Sequence, residues 1–188
     1  MTRARSVLLL LALGLAALGA AAPTWLTTSG ASVLDPDVAV TLTGTDAAPG
    51  VAAGALVLAA AALALGLVGR VGRWVVLAVA AASGVVVGGS AVSFLLDPDG
   101  PARSAVAQVT GVTEATGPVE VTVFPVLAAA LGAVVVLAVV AVALASRRWT
   151  QGSARHERGS APPAGQPADE QATWDALSRG EDPTGPAR

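Results

Sequence analysis

Four long apolar runs dominate the chain, and nearly all of its polar residues lie in the segments between or after them. The runs cover residues 6–22, 51–69, 74–96 and 126–145, and none of them contains an Asp, Glu, Arg, Lys or His. At about 1.5 Å of rise per residue, each run is long enough to cross a lipid bilayer as a helix. The pattern therefore predicts an all-α membrane protein with a bundle of four transmembrane helices.

The first run allows two interpretations. Arg3 and Arg5 before it, its Leu-rich centre and the alanines at 20–22 resemble a cleavable signal peptide. Pro23 directly after that cleavage site disfavours cleavage, and Trp25 is placed to anchor a retained helix at a membrane interface. We favour the retained helix, and both interpretations place the following segment outside the cytoplasm.

Arginines mark one side of the membrane. Six of them flank the predicted helices on the same side, namely Arg3, Arg5, Arg70, Arg73, Arg147 and Arg148, whereas the loops of the other side contain only Arg103. Short loops rich in basic residues stay in the cytoplasm. We therefore expect a multi-pass protein of the cell membrane with both termini in the cytoplasm (N-in/C-in). Trp25, Trp74 and Trp149 fall at predicted interfaces, as an aromatic belt would place them.

Two segments in the predicted outer loops have strand periodicity. Apolar and smaller or polar residues alternate in VAVTLT at 38–43 and in VEVTVF at 119–124, and more weakly over Ala105–Thr110. An isolated strand is marginal in water, so these segments need each other. We expect a small extracytoplasmic β element in which 38–43 pairs directly with 119–124.

Small residues on the third predicted helix indicate a packing face. The link before this helix, at 69–73, is short enough to make the second and third helices antiparallel neighbours. Ala80, Gly84 and Gly88 follow at four-residue spacing, which lets two helix backbones approach closely. The sequence leaves open whether this face packs inside the bundle or forms a homo-oligomer.

The chain offers few residues for catalysis or metal binding. It has no Cys, a single His at 156 and a net charge of −2, which argue against thiol chemistry, a His-based metal site or triad, and nucleic-acid binding. The pairs Asp35/Asp37 and Asp97/Asp99 suit a hard cation or, more simply, the start of a turn. We therefore expect no enzyme activity, no cofactor and no resident metal.

The last segment differs sharply in composition from residues 1–149, the predicted transmembrane domain. Residues 150–188 are rich in Gly, Pro, Ala, Ser and charge, which predicts a disordered cytoplasmic tail. A short motif at 173–184 stands out within it. In a helical turn Trp174 and Leu177 share a face, while Asp175 and Arg179 are spaced for an i,i+4 pair. Two interpretations stay open: a motif that docks to a cytoplasmic protein partner, or a frayed tail whose Trp174 lies on the membrane surface.

Four features together resemble a known family. They are Trp25 after the first helix, TGTDAAP at 43–49, VFP at 123–125 and WDALSRGEDPT at 174–184. The arrangement resembles the tryptophan-biosynthesis-associated membrane proteins of high-GC Gram-positive bacteria. That family often has a second aromatic residue around the Pro of the fourth helix, whereas this chain has only Phe124. The resemblance implies an association with tryptophan biosynthesis and assigns no activity or catalytic residue.

Three functional hypotheses follow. The leading one is a non-enzymatic accessory or scaffolding protein that lies in the lipid bilayer and recruits a pathway enzyme through its tail motif. The second is a carrier or channel for indole or tryptophan, which needs a cavity between helices. The third is an extracytoplasmic sensor that uses the two outer loops.

Overall fold

The computed structural model describes residues 2–31, 38–111 and 117–146, together with Ser178; the side chain of Arg70 is outside this description. The chain divides into two compact units, Met1–Trp149 and Thr150–Arg188. In the second unit, Ser178 is helical and exposed. Several residues singled out by the sequence lie outside the described part: Arg147, Arg148, Trp149, Trp174, Asp175, Leu177, Arg179 and the Asp35/Asp37 pair.

The first unit contains four long helices and a small cap of shorter elements. The helices in chain order are α1 (Arg3–Ala21), α2 (Gly44–Ala47), α3 (Pro49–Leu67), α4 (Arg70–Leu96), α5 (Asp99–Thr110) and α6 (Phe124–Ser146). The strands are β1 (Thr24–Gly30), β2 (Val38–Thr43) and β3 (Glu120–Val121). Among the described residues, α1, α3, α4 and α6 are long and apolar enough to cross a membrane, which confirms the predicted number of spans.

The four long helices form a closed ring in the order α1, α3, α4, α6, with each helix packed on its two neighbours. Only Val68 and Gly69 separate α3 from α4, so these two helices are antiparallel neighbours as expected. The core at one end of the bundle contains buried aliphatic residues, among them Leu10, Leu58, Leu77 and Val135. Outward-facing Leu and Val side chains cover the rest of the helix surfaces, as contact with lipid requires.

The two ends of the bundle carry different structures. We call the end where α1 and α4 begin the arginine end, because Arg3, Arg5, Arg70 and Arg73 lie there. We call the opposite end the sheet end, because the three strands, α2 and α5 lie there and together form the cap. The sheet-end core is continuous from cap to bundle, since Leu26, Val40 and Val106 share it with Val51 and Val87.

The cap contains a three-stranded antiparallel sheet, but the predicted direct pairing of 38–43 with 119–124 is wrong. The strand order is β2-β1-β3, so β1 lies between the two segments. Thr27 of β1 is opposite Thr41 on one side and Glu120 on the other. Only Ala22 and Pro23 separate β1 from α1, so β1 is fixed at the bundle end and the other two strands pair with it.

The weak alternation over Ala105–Thr110 does not form a strand. These residues belong to α5, because Ala102, Ala105 and Val106 are spaced to bury one face of a helix. Asp97 Oδ1 accepts a hydrogen bond from the Gly100 backbone N–H at 3.1 Å, within the first turn of this helix. Gly111 ends it with a φ of +75°, the left-handed conformation in which glycine is favoured.

Trp25 is a core residue and not the interface anchor that the sequence suggested. Its side chain is 0% exposed, and its indole Nε1–H donates a hydrogen bond to the Ala20 carbonyl at 2.8 Å. Its ring meets Phe94 of α4 edge to face, with centroids 5.3 Å apart. Trp74, in contrast, is 44% exposed, and the guanidinium carbon of Arg73 lies 5.6 Å from the centroid of its ring.

Candidate functional site

The cap contains a groove between its edge strand and its longest helix. The groove has a volume of about 460 Å³ and is lined by Val40, Thr41, Leu42, Asp46, Ala47, Pro101, Ser104, Ala105, Gln108 and Val109. β2 forms one wall, α5 forms the opposite wall, and α2 contributes Asp46 and Ala47. This volume falls in the range of about 300–1,000 Å³ that small-molecule sites occupy.

β2 brings both backbone and side chains to the groove. It is an edge strand, so part of its backbone N–H and C=O groups are not used by the sheet. Val40 and Leu42 are buried and pack into the shared core, whereas Thr41 is exposed. This wall therefore combines a fixed apolar base with hydrogen-bonding groups.

α5 supplies the second wall. Ala105 is buried against the core, while Ser104, Gln108 and Val109 are exposed along the groove side. Ser104 Oγ donates a hydrogen bond to the Gly100 carbonyl at 3.1 Å, which fixes its position within the helix. Val109 is 61% exposed, so an apolar surface lies open to solvent there.

Asp46 is the one charged residue among the described residues that line the groove. Its carboxylate Oδ2 accepts a hydrogen bond from Thr43 Oγ1 at 2.6 Å. The Thr43 hydroxyl is in turn 2.7 Å from the Thr45 hydroxyl. These contacts hold the carboxylate in place at the end of β2, and they occupy only one of its two oxygens among the described residues.

The groove brings together one charged residue, several polar side chains and a few apolar ones. Within the described ranges there is no group of three or more His, Cys, Asp or Glu side chains that would hold a metal ion. What the groove offers is one oriented carboxylate, the polar side chains of Thr41, Ser104 and Gln108, and an apolar base.

The predicted packing residues lie away from this groove, inside the bundle. Ala80 is fully buried, and Gly84 and Gly88 face α6. The closest approach joins Gly88 to Gly132 of α6, a residue that the sequence pattern did not single out. A Cβ atom on Gly132 would lie 2.5 Å from the Cα of Gly88 and 2.9 Å from the Gly84 carbonyl oxygen, so only glycine fits there.

Two of the predicted topology arginines bind helix ends. Arg3 Nε donates a hydrogen bond to the Leu65 carbonyl at 2.9 Å, in the last turn of α3. Arg73 Nη1 donates to the Ser146 carbonyl at 3.0 Å, where α6 ends. Cations are favourable at these positions because the final carbonyls of a helix lack partners and carry partial negative charge. Arg5 is exposed.

The groove is not predicted as a site by the sequence pattern, although the motif that contains its charged residue stands out. The segment TGTDAAP at 43–49 contains Thr43, Asp46 and Ala47, and a Thr followed by an acidic residue at the third position is typical of a helix start. The opposite wall at 101–109 is more than fifty residues away in the chain. Nothing in the sequence pattern indicates that these two segments meet.

Comparisons with known proteins identify the family. A search of curated proteins and a search of solved structures each give no match. The model of the tryptophan-associated transmembrane protein family matches residues 7–184, which is nearly the whole chain. The match agrees with four membrane-capable helices and with the resemblance noted from the sequence motifs. The chain therefore belongs to the tryptophan-associated transmembrane protein family.

Proposed function

We propose that the protein is a non-enzymatic accessory protein of tryptophan biosynthesis, anchored in the cell membrane, whose cap binds a small ligand. The observation that supports this most is the groove of about 460 Å³, because its walls are fixed to the core that the cap shares with the bundle. The family description supplies the link to tryptophan. The bundle then acts as an anchor and the cap as the ligand-binding part.

The proposal includes an orientation. Arg3, Arg5, Arg70 and Arg73 lie at one end of the bundle, and the positive-inside rule puts that end in the cytoplasm. The cap is then extracytoplasmic, which suits a sensor of an external molecule. Because the chain has no cysteine, single Ser104→Cys and Val71→Cys variants test this in intact cells with a membrane-impermeant maleimide. We expect labelling at position 104 only; labelling at position 71 only would reverse the orientation.

The tail motif at 173–184 supports a second part of the proposal, the recruitment of a cytoplasmic partner. Trp174 and Leu177 would supply the apolar contacts of a docked helical turn, with Asp175 and Arg179 beside them. Pull-down with the full chain is compared with pull-down by a Trp174→Ala/Leu177→Ala variant. We expect at least one cytoplasmic protein to be lost from the variant; identical partner lists would reject the docking role.

The functional test is genetic. The gene is deleted in the organism that carries it, and growth is measured with and without tryptophan. We expect slower growth without tryptophan, restored by the full chain. Equal growth of the deletion strain and its parent would reject the role in tryptophan biosynthesis. A version that ends at residue 149 then separates the contribution of the tail from that of the cap.

A carrier or channel for indole or tryptophan finds less support in this geometry. Such a role needs a passage between helices, and the α4–α6 pair is packed backbone to backbone at Gly88 and Gly132. Uptake of labelled tryptophan into vesicles that contain the purified protein tests the alternative. We expect the same rate as in protein-free vesicles.

A further inference from the structure

We infer that the groove binds a small amphipathic amine, a molecule with a protonated amino group attached to a compact apolar body. This inference rests on the proposed function, in which the cap is the ligand-binding part. It adds the chemical class of the ligand and the residue that recognises its charge.

The charge of the lining residues determines which sign of ligand charge the groove favours. Among the ten described residues that line the groove, Asp46 is the only ionisable one, and none of the ten is basic. A carboxylate at that position attracts an ammonium group and repels an anion. Hydrogen bonds between an ammonium N–H and a carboxylate are roughly twice as strong as those between neutral groups.

The carboxylate is held ready for such a contact. The Thr43 hydroxyl donates to Oδ2 at 2.6 Å, and no described group donates to Oδ1. Asp46 lies at the α2 end of the groove, so a bound ammonium group would sit at that end as well. The rest of the ligand would extend between β2 and α5.

The remaining lining residues leave room for a compact body that is partly apolar. Val109 is 61% exposed and Pro101 is half-buried, so these two provide most of the apolar contact, while Val40, Leu42 and Ala105 lie beneath them in the core. Thr41, Ser104 and Gln108 provide hydrogen-bonding groups along the walls. The volume of about 460 Å³ is at the lower end of the range for small-molecule sites, which favours a ligand with one or two rings over a peptide.

The test uses tryptamine as the probe and the full chain in nanodiscs of uncharged lipid. Tryptamine carries the ammonium group on an indole ring, and 3-ethylindole is nearly the same shape without the charge. Binding is measured by titration calorimetry, with empty nanodiscs as the blank. We expect saturable binding of tryptamine and an affinity at least about tenfold weaker for 3-ethylindole.

Matched variants locate the site. Asp46→Asn keeps the shape of the side chain and removes its charge, so we expect tryptamine affinity to fall by about tenfold or more. Asp99→Asn removes an equal charge from a residue outside the groove lining and should change affinity by less than about twofold. Equal loss in both variants would show a general charge effect and overturn the inference.

A second pair of variants keeps the test valid if Asp46→Asn fails to fold. Ser104→Phe fills the groove from an exposed position on α5, whereas Arg103→Phe places the same side chain next to it, outside the lining. We expect Ser104→Phe to abolish tryptamine binding and Arg103→Phe to preserve it. Absence of saturable binding to the parent protein, or unchanged binding to Ser104→Phe, would overturn the inference.

The outcomes also separate this inference from the function on which it rests. Suppose that tryptamine affinity changes in the variants as expected but the deletion strain has no growth defect. That result would retain the amine site and reject the role in tryptophan biosynthesis. A growth defect of the deletion strain, with no saturable tryptamine binding to the parent protein, would retain the role in tryptophan biosynthesis and reject the amine site.

Discussion

The arginine end and the sheet end of the bundle are stabilised in different ways. Aliphatic side chains such as Leu58, Leu65 and Val142 fill the core of the arginine end, and Arg3 and Arg73 bind the ends of two helices there. The sheet-end core contains Trp25 and Phe94 and extends into the cap. One end therefore closes the bundle with aliphatic packing and bonded helix ends, whereas the core of the other end also supports the groove.

The largest expected effect comes from removing Trp25. Its ring is fully buried and links β1 to α4 through Phe94, so Trp25→Ala should lower the free energy of unfolding by about 3–5 kcal/mol. Hydrogen exchange of the purified protein measures where this stability is lost. If the two ends are stabilised independently, Trp25→Ala raises hydrogen exchange in β1, β2 and α5 more than at the arginine end.

Trp74→Ala is the matched control for that change. Trp74 is 44% exposed at the arginine end, so its removal should cost less than about 1 kcal/mol. Equal loss of stability in the two variants would contradict the assignment of Trp25 to the core of the cap.

The next largest effect tests the packing between α4 and α6. Gly132→Val places a side chain where the Gly88 backbone already lies, so we expect a loss of about 1–3 kcal/mol or failure to fold. Gly89→Val is the control, because no atom lies within 4 Å of a Cβ added there. Unfolding in a graded detergent series measures the stability of both variants. A Gly132→Val protein as stable as the parent would exclude the close approach of α4 and α6.

A smaller effect is expected from the helix-end arginines. Arg73→Gln weakens the bond to the Ser146 carbonyl and removes the favourable charge at the end of α6, at a cost of about 1 kcal/mol. Arg103→Gln is the control, because Arg103 is exposed on α5 and its bond among the described residues lies within its own helix, to the Asp99 carbonyl. Exchange of the last turn of α6 should rise in Arg73→Gln alone.

The helices and strands themselves were easier to predict from the sequence than the pairing and packing between them. The four membrane helices and the strand at 38–43 were visible because lipid contact and half-burial leave simple periodicities in the chain. β1 was missed because its register shifts between Thr24 and Leu26, which buries Trp25 and Leu26 together and breaks the alternation. The direct pairing of 38–43 with 119–124 was predicted only because that middle strand was not recognised.

Contacts between distant segments account for the rest of what was missed. The spacing of Gly84 and Gly88 indicated a packing face from the sequence. The need for glycine at position 132 becomes visible only when α6 lies against these two residues. Asp46 is one residue of the TGTDAAP motif in the sequence, and its place in a groove becomes visible only when α5 lies opposite it. Periodicity describes one element at a time, so a groove made by two elements has no signature of its own in the chain.

The central claim is that the groove on the cap is the working part and the bundle its anchor. The most direct measurement is growth without tryptophan of the deletion strain that carries either Ser104→Phe or Arg103→Phe, at matched levels of membrane protein. The account predicts that Arg103→Phe restores growth to the rate given by the parent protein and that Ser104→Phe does not. Equal restoration by both variants would contradict it.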